Sequence, residues 1–473
     1  MEAHDPAEVE KKAEVTFRDR IATVNEEGGR NWVYPKKPDG RFYTWRKIVS
    51  YLLLAFLILA PLIRINGEQL ILLNILERKF VLFGVTFWPQ DFHLFVLIMI
   101  ATVVFIFLFT AVYGRIFCGW VCPQTIFMEM VFRRIEYLIE GDAQQQRALN
   151  AAPWTMSKIL KKWSKQLIFF GIAFFISNLF LSYIIGMDQL LVIVSEPPSQ
   201  HLGGFIAILL FSGAFYFVFA WFREQVCTLV CPYGRLQSVL LDENSVVISY
   251  DFERGETRKK FRKSDPREDA GHCVDCHQCV VVCPTGIDIR NGTQLECINC
   301  TACIDACDNV MDKVGFPRGL IRYASYNAIA TGSKKIFTTR VIAYTAVLTI
   351  IVGALLFLFS ARADVETTIL RAPGTLYIAQ GDDAVRNLFT IKVVNKTRES
   401  LPIELKLLSH EGTLQIVGTA EVTAAPTGIA ETAFFIDLDR AQLDGVKTPI
   451  TIGVYSNGRL LEEVDTGFMG PAQ

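Results

Sequence analysis

Five stretches of this sequence are too apolar and too long for the surface of a water-soluble domain, and they constrain the fold more than any other feature. They run approximately over Ile48–Asn66, Phe92–Tyr113, Leu167–Met187, Gly203–Phe222 and Val341–Ser360. Each approaches the roughly 17–25 residues that a helix needs to cross hydrocarbon. Backbone polar groups inside a bilayer must be satisfied within the segment, so each stretch is expected to be a helix. The first is the least regular, with Pro61 and Arg64 near its end. Glu68–Gln90 is expected to lie along the interface, where Trp88 and its neighbouring Phe residues would sit comfortably. A hydrophobic fraction of 51% with 35 Phe in 473 residues supports a membrane protein.

The first 47 residues are polar and charged, so no cleavable signal is expected and the first span is read as the insertion signal. Lys36, Lys37, Arg41, Arg46 and Lys47 precede it. Spans two and three are joined by a segment holding Arg115, Arg133, Arg134, Arg147, Lys158, Lys161, Lys162 and Lys165, whereas Asp188–Leu202 has no Lys or Arg. Arg223–Arg267 is again basic. This bias predicts a cytoplasmic N-terminus and a C-terminal domain outside. All twelve cysteines then fall on the cytoplasmic side, between Cys118 and Cys307. A ligand pattern fits that reducing compartment better than a disulfide framework does. Net charge is −1, there is no phosphate-binding loop, and no nucleic-acid partner is expected.

Cys273, Cys276, Cys279 and Cys283-Pro284 form C-x2-C-x2-C-x3-C-P. Cys297, Cys300, Cys303 and Cys307 repeat the spacing, with Asp308 in place of the proline. This is the run of a two-cluster ferredoxin, in which the fourth cysteine of each run crosses to the other [4Fe–4S] cluster. The expected ligand sets are therefore Cys273, Cys276, Cys279 and Cys307 for one cluster, and Cys297, Cys300, Cys303 and Cys283 for the other. Paired zinc knuckles are the competing reading. The segment is short, and metal is expected to hold it together rather than a core of its own. Cys273–His277 also spells the C-x-x-C-H haem signature, but haem would consume two cluster ligands, so His277 is read as lying beside the ligands or at the surface.

Two more pairs, Cys118/Cys122-Pro123 and Cys227/Cys231-Pro232, follow spans two and four, with Cys122 and Cys231 109 residues apart. This is an internal repeat of two spans followed by C-x3-C-P. If each helix runs through its pair, the i, i+4 spacing puts both sulfurs on one face, with the proline ending the helix. Four thiols gathered at the membrane surface would suit Cu(I); buried packing of small side chains is the alternative. Met128 and Met130 could add thioethers, although i, i+2 spacing leaves at least one to packing. Asn178 is expected to bond another helix, and His93 and His201 to sit at outer span ends. Arg258–Lys263 reads as a lipid-facing or topology-setting patch. After about Asp364 the pattern turns to short β runs, Leu388–Val394, Ile403–Leu408, Leu414–Val417, Ala433–Leu438, Ile450–Tyr455 and Arg459–Val464, which suggest an immunoglobulin-like sandwich. The sequon at Asn395 is not read as a glycosylation site.

The predicted fold is an α-helical polytopic membrane protein of five spans, with a two-cluster bacterial ferredoxin-like insertion and a C-terminal all-β immunoglobulin-like sandwich. Its expected parts are a cytoplasmic segment 1–47, four spans with both C-x3-C-P motifs over 48–245, the [4Fe–4S] domain over 246–335, the fifth span over 336–361, and a periplasmic sandwich over 362–473. This ordered combination resembles the FixG/CcoG (RdxA) family over nearly the whole chain beyond the first 40 or so residues. The resemblance implies a bacterial inner-membrane accessory of cbb-type cytochrome c oxidase assembly that reduces Cu(II) to Cu(I), with Cys118, Cys122, Cys227 and Cys231 near the copper. Implied partners are the bilayer, a copper ion, the oxidase assembly machinery or a copper transporter, and an electron donor left open; a homodimer is allowed. Asp308 after the last cluster cysteine is a departure that would leave ligation intact and alter local charge at that cluster. Two other functions fit the same motifs: a quinol-to-acceptor electron conduit without copper chemistry, and a non-enzymatic assembly factor.

Overall fold

The computed structural model describes residues 22–25, 27, 29–260, 270–333, 335–374, 376–381, 383–418 and 422–471. Among them five helices are long and apolar enough to cross a membrane: Arg41–Leu59, Pro89–Tyr113, Met156–Ile185, Leu202–Phe222 and Thr339–Ser360. The chain divides into two compact units, one reaching Leu355 without Gly84–Trp88, the other made of Gly84–Trp88 and the chain from Leu356 on.

The first span begins and ends earlier than its hydrophobicity suggests, and both ends have a cause. At its start, Asp305 of the cysteine-rich segment accepts the N–H groups of Phe42 (3.1 Å) and Tyr43 (2.7 Å). A carboxylate at a helix N-terminus satisfies orphan donors and complements the dipole. At its end Pro61 brings no N–H, and the chain turns back at Asn66-Gly67, both at positive φ, so that Arg64–Ile65 pairs with Glu68–Gln69. The third helix extends eleven residues before the expected Leu167, capped by Thr155, whose hydroxyl accepts the Lys158 N–H at 3.3 Å. Between spans one and two, Ile71–Asn74 pairs antiparallel with Lys79–Leu82. Trp88, expected at the interface, is buried.

The cysteine-rich segment is tied at its base by Val247–Tyr250 pairing antiparallel with Ile321–Ala324. Contrary to expectation it does bury an apolar core, including Ile248, Ile289, Ile304, Met311 and Leu320. Cys273, Cys279 and Cys307 belong to that core, which is how so short a segment fills it. Of the expected N-terminal segment 1–47, residues 1–21 lie outside the described residues, as do Phe261, Arg262 and Lys263 of the basic run.

The second unit carries the sandwich, whose strands we number β1 (Val365–Arg371), β2 (Ile378–Gln380), β3 (Ala384–Asn395), β4 (Leu401–Leu407), β5 (Gly412–Ile416), β6 (Val422–Ala424), β7 (Ile429–Asp439), β8 (Lys447–Ser456) and β9 (Arg459–Met469). One sheet runs β5-β7-β3-β1 with β2 beside β3; the other runs β6-β4-β8-β9. Alternate residues such as Val385, Phe389, Ile391, Phe434, Ile436, Ile452 and Val454 meet in the core. Asn395, on the sequon, is wholly buried.

Candidate functional site

The eight clustered cysteines line two cavities. One, of about 340 Å³, has Cys273, Cys276, Cys279 and Cys307 in its wall with Val274, Met311 and Leu320. The other, of about 330 Å³, has Cys283, Cys297, Cys300 and Cys303 with Ile248, Ile287 and Ile298, and Cys279 lines both. Four thiols in a largely apolar wall are the donor set a [4Fe–4S] cluster takes. Among the described residues, no three His, Cys, Asp or Glu side chains are grouped to hold a single metal ion. Burial pushes the thiols of Cys279, Cys297 and Cys307 up to about 12 and that of Cys300 up to about 11.

Local structure explains how the segment wraps these cavities. Asp275, His277, Asn299 and Thr301 all take positive φ, turning the chain sharply between cysteines. Arg290, nearly buried, lines the first cavity and bonds Asp275 (2.7 Å), Asp288 (2.6 Å) and His277 Nδ1 (2.8 Å). His277 is thereby a partner of Arg290. Asp308, within the helix Ala302–Val314, accepts the Gly319 N–H at 2.8 Å and ties the following loop back onto that helix.

The two C-x3-C-P motifs have the same backbone. Span two ends at Gly114 (φ 56°, ψ −129°) and span four at Arg223 (φ 53°, ψ −124°). The helix does not continue through either pair, contrary to the expectation of two sulfurs on one helical face. Cys122 and Cys231 are extended (ψ 124° and 112°), each followed by a proline that opens a new helix. The residue before proline is driven out of the α region, and proline is preorganised for the first helical position.

Even so, the four thiols are electrostatic neighbours. Burial, then Cys122, pushes Cys118 up to about 12, and burial, then Cys122, Cys118 and Cys231, does the same to Cys227. Cys118 donates to the buried Gln237 Oε1 at 3.2 Å and packs against the apolar group that contains Ile298 and Cys300. Gly119 faces the carbonyls of Ile298 and Asn299 so closely that a Cβ would stand 2.5 and 2.7 Å from their oxygens. Arg115 bonds the carbonyls of Leu295 and Gly234, joining both motifs to the cysteine-rich segment. Arg46 donates to the Gly119 carbonyl at 2.6 Å, and Trp120 Nε1 donates to the Tyr323 hydroxyl at 3.1 Å.

Cys227 lines a third cavity, of about 300 Å³, with Met128, Glu129, Arg223, Glu224, Thr285 and Ile298. Met128 and Met130 are both buried, and Met128 belongs to an aromatic core with Phe127, Phe132 and Phe219. Asn178 donates to Phe174 O of its own helix at 2.9 Å, not to another span, because that carbonyl stands one turn below it. His201 pairs with Glu196 at 2.6 Å, and His93 is exposed.

A buried ion network that sequence reasoning missed lies beside these motifs. Arg223 bonds both oxygens of Glu136 (2.9 and 2.8 Å), Lys165 reaches Glu136 (3.5 Å) and Glu140 (2.9 Å), and Arg133 pairs with Glu129 (2.7 Å). Arg30 meets Glu224 at 3.1 Å. Arg133, Lys162 and Lys165 belong to the basic segment expected to set topology, and each is ion-paired here. The only available signal was a density of Glu and Arg beside the spans.

Family models agree with this layout. A 4Fe-4S dicluster domain matches residues 222–326, a 4Fe-4S binding domain matches 93–140, and an IG-like fold at the C-terminal of FixG matches 355–471. The nitrogen fixation protein FixG of Rhizobium meliloti is 33% identical over 434 residues, covering 83% of this chain and 82% of that protein. Protein RdxA of Cereibacter sphaeroides is 33% identical over 404 residues, covering 81% and 83%. The crystal structure of a FixG-related protein from Vibrio parahaemolyticus matches 23% of this chain and 97% of its own, at 20% identity and a TM-score of 0.20. With apolar spans, iron–sulfur domains and relatives matched over most of their length, the chain belongs to the FixG/RdxA family of membrane-associated 4Fe–4S electron-transfer proteins.

Proposed function

We propose that Cys273, Cys276, Cys279 and Cys307 hold one [4Fe–4S] cluster and Cys283, Cys297, Cys300 and Cys303 the other. The protein uses them to reduce Cu(II) to Cu(I) at Cys118, Cys122, Cys227 and Cys231, in support of cbb-type cytochrome c oxidase assembly. The observation that carries this reading is the shared packing. Cys118 lies against the group that includes Cys300, and the Cys227 cavity shares Thr285 and Ile298 with the second thiol cavity. Each cluster, when bound, supplies one electron at a time, the number that separates Cu(II) from Cu(I). The protein's own residues supply the rest. Buried thiols offer soft sulfur to the copper substrate, and their raised pKa means that capture must displace protons. Arg46, Arg115 and Gly119 hold the motifs against the cysteine-rich segment. The Lys and Arg bias supports a cytoplasmic face for all twelve cysteines and a periplasmic sandwich.

A second reading, electron conduction without copper, is favoured by one observation: the Cys118 thiol is already bonded to Gln237 and packed in the apolar group with Cys300. Anaerobic mixing of Cu(II) with dithionite-reduced protein freed of excess reductant separates the two. EPR follows clusters and copper together, in the wild type and in a variant with Ser at positions 118, 122, 227 and 231. Copper reduction requires the Cu(II) signal to vanish as the clusters reoxidise, and the variant to keep its clusters but lose the reaction. Untouched Cu(II) with both proteins refutes it in favour of the conduit.

A further inference from the structure

A polar cavity of about 1000 Å³ in the spanning unit has no part in the thiol chemistry above. It opens where the start of span three meets the end of span four, roofed by Trp32 and Tyr34 of the N-terminal segment. Its walls combine aromatic faces, Trp32, Tyr216 and Trp221, with the amides of Gln166 and Asn150. The walls are held in place. Arg30 lies 3.9 Å over the Trp32 ring and 5.5 Å from that of Trp221, Tyr216 donates to Gln166 Oε1 at 2.9 Å, and Asn150 donates to the Tyr34 oxygen at 2.6 Å.

Three observations define what such a cavity would take. The first is charge: Lys162 and Lys165 each stand 2.9 Å from Glu140, and Arg223 is paired with both oxygens of Glu136. Every lining cation is thus engaged in an ion pair, three cations on two carboxylates, and a phosphate would have to displace those pairs whereas a neutral ligand would not. The second is access: two of its lining residues, Phe217 and Trp221 on the apolar span four, are about half exposed (49% and 48%). The third is position: Arg223 lines this cavity and also the Cys227 cavity, which in turn shares Thr285 and Ile298 with the second thiol cavity. Each cavity thus shares wall residues with the next.

We propose that this cavity binds the head group of a lipid-borne hydroquinone. Aromatic faces stack on its flat ring, and the amide and phenol groups bond its two opposed oxygens. The buried carboxylate–ammonium pairs beside it are the kind of titratable cluster that membrane proteins keep at functional sites. The inference rests on the electron-transfer reading and names the chemical class of the donor, but its test is a binding test.

The protein in phosphatidylcholine nanodiscs is illuminated with an azido-ubiquinone probe, and adducts are mapped by peptide mass. Saturable labelling of peptides carrying residues 32–34 or 216–221 is expected, displaced by decylubiquinol and not by phosphatidylglycerol. Trp221→Leu, at a half-exposed position, and Gln166→Leu are each expected to weaken labelling by about tenfold, the size of one lost stacking or polar contact. Displacement by phosphatidylglycerol overturns the proposal in favour of a phospholipid head-group pocket. Labelling that does not saturate, or that neither variant changes, overturns it outright. Cluster absorbance is read on the same samples, so protein without clusters that still labels keeps the site while removing the reading on which its role as donor site rests.

Discussion

Gly119→Ala is the most incisive single perturbation of the interface between the first C-x3-C-P motif and the cysteine-rich segment. The added carbon would stand 2.5 Å from Ile298 O and 2.7 Å from Asn299 O, and both atoms are backbone. Ordinary carbon–oxygen contacts are about 3.3–3.6 Å, so the two segments must separate by roughly 0.8 Å. Neither side can yield cheaply, because Arg46 holds the Gly119 carbonyl and Arg115 the Leu295 carbonyl. Overpacking of this kind costs about 1–3 kcal/mol. If Cu(II) reduction needs Cys118 held against the Cys300 wall, a displacement near 1 Å slows it by as much as a hundredfold. The control is Gly171→Ala in span three, where a Cβ would meet nothing within 4 Å. There the change is neutral or stabilising by up to about 1 kcal/mol. The assay is thermal unfolding in detergent alongside cluster absorbance and single-turnover copper reduction. If Gly119→Ala matches Gly171→Ala in all three, the argument that close packing couples these segments is wrong.

Two further outcomes follow from buried polar groups. Asn395 donates to the carbonyls of Glu399 (2.7 Å), Ala424 (3.1 Å) and Ala425 (3.0 Å), and its oxygen accepts from the Thr397 hydroxyl at 2.6 Å. Asn395→Ala strands those carbonyls, at about 1–3 kcal/mol for each that water cannot reach, and should visibly lower the sandwich's melting temperature; an unchanged transition would contradict this. Glu136 is buried, which would raise its carboxyl, but Arg223, Lys165 and Arg133 outweigh burial and hold it below the usual range. Its stabilising contribution is therefore present above the unfolded value of about 4.3 and is lost as pH falls through the lowered folded value. Glu136→Gln should cost about 3 kcal/mol at neutral pH and flatten the acid limb of the stability curve, and parallel acid limbs in the two proteins would show the carboxylate is not responsible.

The spans were legible because a bilayer imposes one requirement on any sequence, a run of about 20 apolar residues. Their ends were not, because the deciding groups are distant. Asp305 caps the first span at Phe42 and Tyr43 from 263 and 262 residues away. The Asn66-Gly67 turn, by contrast, was a local signal that went unread beside the apolar run. Six sandwich strands stood out through alternation; β1, β2 and β6 did not, two of them being only three residues long. The basic residues before span three illustrate a different limit. A Lys that sets topology and a Lys buried against two glutamates look alike in sequence, since Glu136 and Glu140 sit on another helix. Asn178 misled for the converse reason, because a side chain inside a span can satisfy itself one turn away.

The repeat itself carries a last inference about division of labour. Both halves end a span in the same left-handed conformation, then set a cysteine in extended backbone before a helix-opening proline. Glycine adopts that conformation freely at position 114, whereas an arginine at 223 is strained there. Such strain persists only where the surroundings over-determine it, and here the side chain explains why: it is buried, bonds both oxygens of Glu136, and walls two cavities at once. The first motif has no such side chain at the matching position, and instead presses Gly119 and Cys118 onto the cysteine-rich segment. Backbone symmetry therefore supports unequal halves. Cys118 is held by close backbone packing against the cysteine-rich segment, whereas Cys227 lines a cavity beside an ion network whose Arg223 also walls the neighbouring aromatic cavity. A chain that duplicated the motif only to gather four equivalent thiols would have had no reason to keep an arginine where glycine costs nothing.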